Sequence, residues 1–73
     1  MSKHVVFLRS NEQMVLISIT PTEQGNQGNV SNDESQAMVF DSEGQANETI
    51  QTLNGGSEFW GARPDKRRPK PHQ

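Results

Sequence analysis

Seventy-three residues without a cysteine leave room for one small domain and exclude disulfide staples, thiolate metal sites and a cysteine nucleophile. Apolar residues are only 29% of the chain. A staple-free domain of this size holds about 3–5 kcal/mol of stability, which leaves little to support a catalytic framework. The formal charge of −2 conceals a division. Through Gly61 eight acids face two bases, Lys3 and Arg9, a net of −6. From Ala62 onward five bases (Arg63, Lys66, Arg67, Arg68, Lys70) face Asp65 alone, a net of +4.

Lys3–Arg9 (KHVVFLR) is rich in β-branched and aromatic residues and predicts a first strand. Ser10–Gln13 is polar and turn-forming, and Met14–Thr20 (MVLISIT) predicts a second strand that closes a hairpin and stops at Pro21. By the period of two, Val5 and Phe7 share a face with Arg9, while His4, Val6 and Leu8 share the other. Both faces are therefore apolar: either the sheet is covered twice, or one face is left for a partner. Residues 21–36 are Gln, Asn, Gly, Ser and acid with Val30 as the one large apolar residue, and predict a mobile loop. Ala37–Phe40 predicts a short third strand. Ser42 with Gln45 has capping-box spacing, Ala46, Ile50 and Leu53 form an apolar stripe, and Asn54-Gly55-Gly56 is a helix stop, so a helix is expected over roughly 42–54. Ser57–Ala62, with Phe59 and Trp60, is compatible with a fourth, very short strand. The expected class is α+β: a small antiparallel sheet with one packed helix over residues 1–61, followed by a disordered basic tail over 62–73.

No apolar run approaches the ~20 residues that cross a bilayer, and the amino terminus has no uninterrupted apolar segment of the secretory kind. The expectation is a soluble intracellular protein. His4 and His72 lie near opposite ends, and no spacing of histidines with carboxylates suggests a metal site. No base stands beside a hydroxyl to activate it, and Gly25-Asn26-Gln27-Gly28 lacks the Lys-Ser/Thr of a phosphate loop. No catalytic residue, cofactor, metal or small-molecule substrate is expected.

The basic segment is the strongest binding candidate. Arg63, Lys66, Arg67, Arg68 and Lys70 can meet acidic protein surfaces or phosphates, and the interspersed prolines keep the chain extended for docking. Base stacking would need Phe59 and Trp60, and the acidic body repels a phosphate backbone within about a Debye length. A protein partner is therefore favoured, with direct nucleic-acid contact a secondary role. The core has first claim on Phe59; core and interface claim Trp60 equally. Lys3 and Arg9, at the ends of the first strand, would guard an open sheet edge or steer an acidic partner to it, and Val5 of the same strand is counted with them as a partner-binding residue.

The opening MSKHVVFLRSNEQMVLISITP, the Gln/Asn/Gly-rich middle and the ending WGARPDKRRPKPHQ resemble the small transcription regulators of lytic Xanthomonas phages. The resemblance runs through the whole string and rests on no transferable motif. It implies a monomer in the host bacterial cytoplasm that binds RNA polymerase, at the amino-terminal region of β′ and the flap of β. It also implies inhibition of sigma-dependent initiation at host promoters and antitermination during elongation. The alternatives are a nucleic-acid module using the tail and Trp60, and an adaptor or inhibitor of another host enzyme.

Overall fold

The computed structural model describes residues 3–65. Four antiparallel strands, β1 (His4–Leu8), β2 (Asn11–Thr22), β3 (Gly25–Ser31) and β4 (Trp60–Pro64), form one sheet in the order β3-β2-β1-β4. Helix α1 (Glu43–Thr52) packs on one face, and a single helical turn, α2 (Gly56–Phe59), leads into β4. The α+β class and the packed helix are as the sequence predicts.

Two elements depart from the sequence reading. The first is the mobile loop expected at 21–36. Strand β2 runs through Pro21 to Thr22, and β3 returns along it. Pro21 pairs with Asn26, whose carbonyl faces away from β2 and accepts the Asn54 N–H at 3.0 Å. The Pro21–Asn26 pair is thus one that exchanges no ladder bonds, and the missing proline N–H leaves no bond unmade. Side chains take over what apolar propensity does not supply. The Asn29 amide donates to the hydroxyls of Ser18 and Thr20, both at 2.9 Å, and Thr22 Oγ1 donates to the Gly25 carbonyl at 2.6 Å.

The second departure is at Ala37–Phe40, which forms no strand of its own. The β1–β2 ladder ends at Phe7–Val15, and beyond it both strands turn to this segment. His4 and Phe40 exchange backbone bonds at 2.9 and 2.8 Å, and Met38 N–H donates to the Leu16 carbonyl at 2.9 Å. The short run expected as a third strand is a bridge between two strands that separate. Between these departures, residues 34–36 make a 3-10 turn started by Asp33, whose carboxylate accepts the Ser35 N–H.

The helix forms where its signals lie. Ser42 Oγ accepts the Gln45 N–H at 3.2 Å, while Gln45 Oε1 reaches back to the Asp41 N–H, one residue before the cap. Ala46, Ile50 and Leu53 are buried against Val6, Leu16 and Trp60. A smaller cluster of Val5, Val15 and Ala37 lies separate from it, with Phe7 and Ile17 at its margin. A register shift between Leu16 and Ser18 lets Leu16 and Ile19, three apart, join the helix-side cluster, which a regular strand with its period of two forbids. Of the two sequence alternatives, the sheet covered on both faces is the one realised.

Candidate interaction surface

The structure redistributes the residues that the sequence marks for binding. Val5 is fully buried between β2 and β4 and offers nothing to a partner. Trp60 is a core residue at 5% exposure, and its indole N–H donates to the Asn54 carbonyl at 2.9 Å. Arg9 serves the fold: its backbone N–H donates to the Phe59 carbonyl, and its Nε bonds the carbonyls of Ser57 and Trp60 at 2.7 and 3.1 Å. Arg63 is a strand residue. Its guanidinium forks onto both oxygens of Glu34 at 3.0 and 3.1 Å and lies 5.7 Å from the centre of the Phe7 ring. This partly buried pair roofs the second face of the sheet, so the body extends to Pro64 and the first base of the expected tail belongs to it. Lys66, Arg67, Arg68 and Lys70 lie outside the described residues.

Lys3 is exposed at the start of β1, with its Nζ 2.6 Å from Asp41 Oδ1. That hydrogen bond, with the ammonium charge behind it, holds the Asp41 carboxyl below its ordinary range. A depressed carboxyl contributes stability that is present above its unfolded value and lost as pH falls through the folded one. Both side chains are open to solvent, so the pair contributes little. In a carbon-detected pH titration, Lys3→Met is expected to move the Asp41 midpoint upward; an unmoved midpoint contradicts the pairing.

Every base among the described residues is thus engaged within the protein: Lys3 by Asp41, Arg63 by Glu34, and Arg9 by main-chain carbonyls. Nine acids and three bases fall in residues 3–65, a net of 3 − 9 = −6. Glu12, Glu23, Glu43, Glu48 and Glu58 are all exposed, so the body presents an acidic surface.

Among the described residues two large apolar side chains interrupt it, Val39 and, more fully exposed, Phe59. Phe59 is 60% exposed, the reverse of Trp60 beside it and of its expected place in the core. Its ring lies over Gly55, where a Cβ would meet ring carbons at 2.6 Å and where φ is +92°. Leu8, Ser10, Glu58 and Phe59 line a shallow pocket of about 230 Å³ between the β1–β2 turn and α2. The sequence reading puts residues 57–62 in one short strand; the fourth strand instead starts at Trp60, and α2 takes the residues before it, leaving Phe59 exposed at its end.

Among the described residues no three or more His, Asp or Glu side chains gather to hold a metal, and no helix is long and apolar enough to cross a membrane. His4 Nδ1 is buried without a hydrogen-bond partner, alone among buried side-chain nitrogens and oxygens of the described residues. Comparison with family models, with characterised proteins and with solved structures finds no match.

Proposed function

We propose that this chain is a phage-encoded regulator that binds host bacterial RNA polymerase, inhibits sigma-dependent initiation at host promoters and acts as an antiterminator. The naming of the polymerase comes from the resemblance of the whole string to the Xanthomonas phage regulators. The observation that carries the binding reading is the separation of charge. The body consumes all three of its bases internally and stays at −6, while four further bases fall within the last eight residues. Such a chain suits a large partner that presents both signs; the resemblance names the amino-terminal region of β′ and the flap of β as the contacts. Joining two weak contacts raises apparent affinity by about 10²–10⁴-fold through effective concentration.

A nucleic-acid module fits less well. The indole that base stacking needs is enclosed by Val6, Leu16 and the α1 stripe, and the exposed phenyl stands beside Glu58 on an acidic body that repels phosphates. Trp60 and Val5, now core residues, drop out of the proposed binding surface together with the internally engaged Lys3, Arg9 and Arg63, and the bases of 66–70 are what it keeps.

The test is direct. Purified chain is mixed with Xanthomonas RNA polymerase, and transcripts are followed from a sigma-dependent promoter and through an intrinsic terminator. Capture of the polymerase, loss of the promoter transcript and increased readthrough are the expected results. Absence of capture, or capture that alters neither transcript, contradicts the proposal.

A further inference from the structure

The pocket at Phe59 combines three properties. It is lined by the apolar residues Phe59 and Leu8, and beside them by the acidic Glu58 and the polar Ser10. It is also rigidly mounted. The Phe59 carbonyl accepts the Arg9 N–H at 2.9 Å, Arg9 Nε clamps the carbonyls on either side of the ring's segment, and Gly55 seats the ring. A shelf held from beneath by main-chain anchors loses little entropy when a guest arrives.

The chemistry of the guest follows from these walls and from the surrounding charge. An aliphatic stem ending in a cation lies on apolar surface along its length and keeps its head at a carboxylate; arginine and lysine have this shape, and a guanidinium also stacks on a phenyl face. The neighbourhood favours positive charge, since the described body is at −6. The one base nearby, Arg9, turns its Nε toward the carbonyls of Ser57 and Trp60 and does not line the pocket. A carboxylate-bearing guest would meet Glu58 with like charge.

We propose that the Leu8–Ser10–Glu58–Phe59 pocket is the point at which the acidic body takes an arginine- or lysine-bearing segment of a protein partner. The stem lies against Phe59 and Leu8, and the charged head pairs with Glu58. The site stands at the Leu8–Trp60 end of the β1–β4 pair, about 13 Å, at the rise of a strand, from the His4–Pro64 end at which β4 finishes. The proposal does not require that partner to be RNA polymerase.

The test uses the full chain, labelled with nitrogen-15, and the peptide acetyl-Gly-Leu-Arg-Leu-Gly-amide, with norleucine or glutamate replacing arginine in two controls. The arginine peptide is expected to move the amides of Ser10, Glu58 and Phe59 with a dissociation constant on the order of 1 mM, in the range of a single-side-chain contact. The norleucine peptide, and the arginine peptide on Glu58→Gln, should bind about threefold more weakly, as an exposed charge pair allows. Phe59→Ala should abolish the effect while leaving the rest of the spectrum in place, since its ring is outside the core. Equal binding of the norleucine or glutamate peptide overturns the proposal, as do shifts confined to other residues or no shift at all. Resonances of residues 66–70 that move in Phe59→Ala without peptide would assign the pocket to the chain's own bases, and would overturn it too.

Discussion

Replacing Trp60 with alanine is expected to unfold the protein. The indole is enclosed by Val6, Leu16, Ala46, Ile50 and Leu53, and it joins the first residue of β4 to both the helix and the β2–β3 hairpin. Removing a buried Trp or Phe costs about 3–5 kcal/mol, through lost transfer energy and the cavity left behind. The Asn54 carbonyl also loses its indole donor. A chain of this size without disulfides has about that much stability in total. Trp60→Ala should therefore give a collapsed amide spectrum and no cooperative urea transition at 25 °C. Trp60→Phe fills most of the space, and should fold with stability reduced by about 1–3 kcal/mol. A well-dispersed Trp60→Ala spectrum accompanied by lost polymerase binding would instead return this residue to the interface.

The second large effect is at Gly28, where local propensity and packing pull in opposite directions. Gly28 lies in β3, and valine is among the best strand formers, worth up to about 1 kcal/mol on propensity alone. Yet a Cβ at this position would stand 2.7 Å from Trp60 Cζ2 and Cη2 and 2.9 Å from Leu16 Cδ1. Both neighbours are core side chains with no room to retreat. Overpacking a tight core costs about 1–3 kcal/mol, and more when the chain cannot shift. Gly28→Val is expected to lower the urea midpoint sharply and to broaden the resonances of residues 25–31. Gly44→Ala is the matching control. It lies exposed in the first turn of α1 with only Ser42 Oγ within reach, at 3.8 Å, and should gain about 0.5–1 kcal/mol. A neutral Gly28→Val would mean that β3 does not lie under the indole.

These two residues also show what could be read in the sequence. The first hairpin, the helix with its Ser42 cap and the Ala46–Ile50–Leu53 stripe are written in local chemistry, and the structure has them. Strand β3 is not written there. Gly-Asn-Gln-Gly-Asn-Val-Ser carries one β-branched apolar residue, and becomes a strand because β2 offers hydroxyls to Asn29 and because glycine is the residue that fits under Trp60. Both causes are tertiary, so composition reads the segment as a loop. Ala37–Phe40 misleads in the opposite sense. It has strand composition, but it meets β1 and β2 only where they part, and gains a bridge in place of a ladder.

The binding surface follows the same logic. Charge along the chain shows the acidic body, but not that Arg63 is spent on Glu34 or Arg9 on carbonyls, because those partners are 29 and 48 residues away. Phe59 and Trp60 are equivalent candidates on paper. The single turn of α2, started by the positive φ of Gly55, separates them into an exposed ring and a buried one.

The central claim is that the acidic body and the basic segment act together on one large partner. It is tested by neutralising that segment in the full-length chain, with Lys66, Arg67, Arg68 and Lys70 changed to Gln, and measuring the dissociation constant for bacterial RNA polymerase at physiological salt. Loss of one of two linked contacts should weaken binding by about 10²-fold or more, while the amide spectrum of residues 3–65 stays that of the parent. An unchanged dissociation constant with an unchanged spectrum would contradict it.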